Sequence, residues 1–186
     1  MRFFIALEIP EKSRTELERV QSHLSQIIPS LRPTNPEKLH LTIAFIGEQP
    51  ESLKEDLIHV ITEAVKDIPS FNVSPGIVDG FPNIHQPNVI WVGVNGQLDN
   101  LLVIRERVKD GLANLGLITD ERRFVPHITL GKPNGGINLS KKQEQELQEL
   151  SLKHYSPIGI ESIKLFESVP EGSFHRHNTL AEVKLS

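Results

Sequence analysis

His40-Leu41-Thr42-Ile43-Ala44-Phe45 and His127-Ile128-Thr129-Leu130-Gly131-Lys132 are two similar stretches set far apart in the chain. Each is a short, apolar, β-branched run with a histidine and a threonine two residues apart. In a strand, that spacing puts imidazole and hydroxyl on one face and the residue between them on the other. Leu41, Ile43 and Phe45 are then expected to pack into a core, as are Ile128 and Leu130. Two imidazoles and two hydroxyls looking out of the opposite face suit general acid–base chemistry on a phosphate.

The spacing alone carries little weight. The chain has eight histidines; His177-Asn178-Thr179 repeats the pattern, and His23-Leu24-Ser25 has serine in the threonine's place. What separates the two good copies is an apolar middle residue, an apolar continuation and a glycine soon after, Gly47 or Gly131. The plain alternative is a pair of half-buried strands whose polar face happens to carry histidine and threonine.

Working outward, residues 2–9 read as a strand ended by Pro10. Leu17, Val20, Leu24 and Ile27 recur at helical spacing up to Pro29. Residues 33–38 read as a loop. Pro50 opens a helix carrying Leu53, Leu57, Ile61, Ala64 and Val65, and Pro69 closes it. Residues 71–81 and 89–94 read as strands, and 98–115 as a helix capped by Gly116. Ser140 with Gln143 predicts a capping box for a short helix to about residue 150. Residues 158–166 and 179–185 read as closing strands around a loop at 169–178. Each half of the chain holds strands, an amphipathic helix and one His-Thr strand, and no linker divides them. That suggests a duplicated, single-domain α+β architecture over residues 1–186. Strands mixed with helices without strict alternation favour antiparallel sheets.

Composition sets limits. The chain has 186 residues, 38% hydrophobic and 24% charged, which is the balance of a soluble globular protein. It has no cysteine, which removes thiol nucleophiles, disulfides and thiolate metal sites. The N-terminal apolar run is too short for a signal peptide, and nothing approaches a membrane span; a cytoplasmic home fits. A net charge of −4 argues against bulk coating of nucleic acid, though not against a local grip on one phosphate end. Lys132 is the natural cation for that grip, but strict alternation turns it to the wrong face unless a bulge at Gly131 intervenes. His175-Arg176-His177 reads as an exposed loop rather than a metal site, because no third ligand stands nearby. Trp91 is able to stack on a base but reads as strand core, and His85 as a solvated loop residue.

The paired motifs resemble those of the two-histidine (2H) phosphoesterase superfamily. Within it the chain is similar to the RNA 2′,3′-cyclic phosphodiesterases, the LigT-like or ThpR family once called 2′-5′ RNA ligases. The resemblance extends over nearly the whole chain. It rests on Arg2-Phe3-Phe4-Ile5-Ala6-Leu7-Glu8-Ile9-Pro10, on Pro36-Glu37-Lys38-Leu39 before the first motif, and on Phe81-Pro82 with Val89-Ile90-Trp91-Val92-Gly93-Val94. Arg122, Phe124 and Pro126 before the second motif complete it. The resemblance implies a bilobal fold, with two antiparallel sheets facing each other across a central groove and helices outside. It implies metal-independent opening of a 2′,3′-cyclic phosphate, on an RNA end or a nucleotide, to a 2′-phosphomonoester. It further implies His40 as proton donor, His127 as proton acceptor, and Thr42, Thr129 and Lys132 as phosphate ligands, with no metal, cofactor, membrane or obligate protein partner and a monomeric state. Lys132 stands where relatives commonly carry arginine, and Val125 where many carry a basic residue. Related outcomes are 2′-5′ ligation, opening of an ADP-ribose cyclic phosphate, or binding of RNA ends without turnover.

Overall fold

The computed structural model describes residues 1–119, 124–150, 152 and 155–186. In chain order these form β1 (Arg2–Glu8), α1 (Glu11–Ile27), β2 (Leu31–Pro33), β3 (His40–Glu48), α2 (Lys54–Ala64), β4 (Phe71–Phe81) and β5 (Val89–Gly96). There follow α3 (Leu98–Asn114), β6 (His127–Pro133), α4 (Lys141–Glu149), β7 (Ile158–Ile160), β8 (Ser162–Glu171) and β9 (Phe174–Lys184).

The helix ends follow from local chemistry. The Ser140 hydroxyl accepts from the Gln143 N–H while the Gln143 side chain accepts from the Ser140 N–H, the reciprocal cap expected for α4. The Gln143 amide also donates to the carbonyl of Ile27, fastening α4 to the end of α1. Gly116, at φ +76°, ends α3, with the Leu117 N–H donating to Leu112 and that of Gly116 to Ala113. This is the left-handed helix stop for which glycine is favoured.

The strands run in the order β7-β4-β5-β6-β3-β1-β8-β9, with β2 added on β6. Every pairing is antiparallel. The two halves, β7-β4-β5-β6 and β3-β1-β8-β9, are joined by one ladder pair, Leu41 with Ile128, into a continuous nine-stranded sheet. The duplication is legible in this order: β1-α1-β3-α2-β4 is matched by β5-α3-β6-α4-β8, and each repeat gives its last strand to the other's half-sheet. The helices cross over too. Following β1, α1 packs on β2, β6 and α4, whereas α3, following β5, packs on β3 and α2. The repeats are interlocked, so neither half buries its own apolar face alone.

One side of the sheet packs on the helices. Phe3, Ile5, Leu7, Leu41, Ile43, Ile90, Val92, Ile128 and Leu130 share a core with Leu17 and Leu24 of α1, Leu57 and Ile61 of α2, and Ile104 and Val108 of α3. Phe4, Ala6 and Phe166 form a separate small cluster on the other side. That second face carries the candidate site.

Two expectations are corrected, and one short strand is added. Residues 169–178 are not a loop: β8 and β9 continue through them as a long hairpin with partners from Ser162–Lys184 to Glu171–Phe174. Polarity on both faces of that arm conceals the strand pattern, since residues 170–176 are all exposed. Leu31–Pro33 is a short strand, too brief to show any periodicity. Phe45 is 71% exposed rather than buried. Ala6 pairs with Thr42 and Ile5 with Ala44, so Ile43 is an extra residue in the ladder, and the bulge turns Phe45 away from the core.

Candidate active site

His40 and His127 open β3 and β6, at the joint of the two half-sheets. Leu41 and Ile128, the partners that make this joint, are both fully buried on the helix side. His40, Thr42, His127 and Thr129, all half-buried, therefore face the opposite side together.

The same local device fixes both rings. His40 Nδ1 lies 2.7 Å from the Lys38 carbonyl oxygen, and His127 Nδ1 lies 2.7 Å from that of Val125. A carbonyl only accepts, so each Nδ1 carries a proton and donates it. Whenever either ring gives up a proton, it is Nε2 that is thereby left as the acceptor. Each ring also rests on aromatic neighbours. His40 lies 5.3 Å from Phe4 and stands edge-on to His177 at 5.6 Å. His127 stands edge-on to Phe81 at 5.1 Å and lies 5.5 Å from Trp91. Burial pushes the His40 imidazolium below its ordinary pKa; its bond to the Lys38 carbonyl partly opposes this, and the charge of His127 adds to the lowering. The two histidines therefore sense each other electrostatically.

A bulge turns Lys132 to the face of the paired histidines, one residue earlier than the sequence suggests. Ile90 pairs with Gly131 and Trp91 with Thr129, leaving Leu130 as the extra residue. This mirrors the bulge at Ile43, three residues after the first histidine. Lys132 is thus on the face of Thr129, and Arg32 of β2 is its direct cross-strand partner. Two cations opposite one another repel, and an anion between them offsets that cost. The bulged Leu130 carbonyl is not stranded: it accepts from the Thr34 N–H and from the buried Gln21 side chain.

Trp91 is 7% exposed, but it packs against Phe81 and His127 on the groove face and not in the main core. Phe45, 6.1 Å from Phe4, extends the aromatic lining of the other half. His175, Arg176 and His177 lie on β9, not in a loop. Among the described residues no three acids, histidines or cysteines are placed to hold a metal ion. His85 is exposed and bonded to Glu144 at 2.7 Å, away from the paired histidines. Arg122 lies outside the described residues.

Sequence reasoning missed Arg32 and misplaced His177. Arg32 sits in a strand too short to detect. His177 carried the right spacing to Thr179, but Asn178 between them is polar and donates to Glu167 across the hairpin instead of packing into the core.

Comparisons with known proteins place the chain in a family. Residues 9–157 match the model of the 2′-5′ RNA ligase superfamily. The chain belongs to that superfamily. It is 27% identical to the RNA 2′,3′-cyclic phosphodiesterase of Methanocaldococcus jannaschii, over 94% of this chain and 96% of that protein. It is 29% identical to the protein of the same name from Thermotoga maritima, over 95% of this chain and 92% of that one. Among solved structures, TT0787 of Thermus thermophilus superposes with a TM-score of 0.80 at 21% identity, covering 100% of this chain and 98% of that chain. Escherichia coli LigT, in its complex with 3′-AMP, superposes with a TM-score of 0.78 at 20% identity, again covering 100% and 98%. These likenesses establish the α+β fold. No helix among the described residues is long and apolar enough to cross a membrane.

Proposed function

We propose that this superfamily member is a hydrolase that opens 2′,3′-cyclic phosphates, at RNA ends or in nucleotides, to 2′-phosphomonoesters. The observation that supports this best is the matched pair of imidazoles, each with Nδ1 tied to the carbonyl two residues back and a threonine beside it on the same face. On this reading the cyclic phosphate lies between the rings. His127 Nε2 takes a proton from water as the water oxygen attacks phosphorus. The bond from phosphorus to O3′ breaks, and protonated His40 gives its Nε2 proton to O3′. The phosphate remains on O2′, and the two histidines have exchanged protonation states. Each such proton transfer typically contributes about 10²–10⁴ in rate.

Burial disfavours the His40 imidazolium in the free protein. A bound phosphate anion favours the imidazolium, so the substrate itself loads the acid. Thr42 and Thr129 donate to the non-bridging oxygens. Lys132 supplies a single-point contact, and Arg32 beside it supplies the planar, bidentate contact that lysine lacks. Residues 1–186 act as one bilobal, monomeric unit, since a single chain supplies both histidines. The family likeness also favours a parallel step, 2′-5′ ligation, in which a 5′-hydroxyl replaces water as the nucleophile and the bond from phosphorus to O3′ again breaks.

The experiment is incubation, in EDTA, with a short RNA ending in a 2′,3′-cyclic phosphate, with products resolved against 2′- and 3′-phosphate standards. A 2′-phosphate product is expected. A 3′-phosphate product, or none, would defeat the assignment.

A further inference from the structure

Beside His40 the groove deepens into a recess whose wall includes Lys38, Arg176, His177 and Thr179. None of these side chains has a part in the chemistry proposed above. His177 and Thr179 repeat the His-x-Thr pattern for a third time. In β9 they lie on the groove face, His177 being 4.9 Å from Phe4 and Thr179 pairing with Phe166. The Lys38 ammonium donates to the His175 carbonyl, and no described carboxylate pairs with it. Arg176 is held by Glu171 at 3.5 Å and by Asn178 at 3.2 Å. Of the acids lining the recess, Glu8 is paired with Lys164 and Glu37 is exposed.

We propose that this recess binds the phosphodiester one nucleotide upstream of the cyclic phosphate, so that the enzyme selects an oligonucleotide end over a nucleoside cyclic monophosphate. The inference rests on the cyclic phosphodiesterase reading above. Its ground is continuity and chemistry. His40 is part of the recess wall, and His177 stands edge-on to it at 5.6 Å, so the recess begins where the reacting phosphate ends. On an RNA 3′ end, the next anion along the chain is the phosphodiester on the 5′ side of the terminal ribose. Lys38 and Arg176 supply positive charge, and Thr179 and the neutral His177 ring supply hydrogen bonds. Charge-assisted contacts to phosphate are the strong kind.

The test compares kcat/KM for a nucleoside 2′,3′-cyclic phosphate, the corresponding dinucleotide cyclic phosphate, and the same dinucleotide with its linkage replaced by an uncharged methylphosphonate. The wild-type protein is expected to favour the charged dinucleotide by about tenfold over both others, the scale of one hydrogen bond to a charged group. In the Lys38→Ala/Thr179→Val double variant that ratio should fall toward one. Equal rates on all three substrates with the wild-type protein, or a ratio that the double variant leaves intact, would overturn the subsite while the cyclic phosphodiesterase reading stands. Absence of turnover on every substrate would overturn both.

Discussion

Replacing Gly131 by alanine tests whether the bulge that brings Lys132 to the groove depends on the close approach of β2. A Cβ at Gly131 would lie 2.8 Å from the Arg32 carbonyl oxygen, 3.0 Å from Leu31 Cδ1 and 3.1 Å from Pro33 Cα. Two of these three atoms are backbone, and the strand that bears them is held by pairing across Leu31–Pro133, Arg32–Lys132 and Pro33–Gly131. Relief therefore requires β2 to move rather than a side chain to rotate. Overpacking of this kind costs about 1–3 kcal/mol. In a chain of this size each kcal/mol lowers Tm by about 2–4 °C, so a fall of about 4–8 °C is expected for a cost near 2 kcal/mol. Gly136→Ala is the control, because nothing stands within 4 Å of its Cβ; a change within about 0.5 kcal/mol is expected there. Differential scanning calorimetry measures both, and kcat/KM on the cyclic phosphate should fall for Gly131→Ala as Arg32 is displaced. Equal melting temperatures for the two variants would refute the reasoning.

Alanine at either His40 or His127 should lower kcat by at least about 10² while far-UV circular dichroism is unchanged; retained turnover by either variant would remove that histidine from the mechanism. Lys132→Ala should raise KM by about tenfold through loss of a charged contact, and Lys132→Arg should restore it, which initial-rate kinetics would show. Burial, with the charges of His40, Lys38 and His175, depresses His177 from the ordinary 6.5 to about 4. The folded state thus favours the neutral ring, so its contribution to stability is fully present above pH 6.5 and is lost as pH falls through 4. Urea midpoints should decline over that interval, and His177→Phe should flatten the decline. Inorganic phosphate should raise the pH at which the His40 ring titrates by NMR; no movement at saturation would argue against an anion beside it.

The amino-acid sequence alone specifies the two His-x-Thr strands, because their alternation is a local property: Leu41 and Ile128 had to be buried, so the flanking histidines and threonines had to face away together. It also determined helix limits wherever the signal lay within one turn, as with Ser140 and Gln143 or with Gly116. Tertiary structure alone decided what the register controls. The extra residues at Ile43 and Leu130 exist only relative to partner strands, and they reversed the faces of Phe45 and Lys132. Arg32 comes to lie opposite Lys132 through a three-residue strand that only pairing with β6 defines. His177 and Thr179 came to lie beside His40 through β1 and β8, which separate β3 from β9 in the sheet but not in the groove above it. Local alternation is written in neighbouring residues. The ladder offset that redirects it depends on strands distant in sequence, and no single stretch of chain records that.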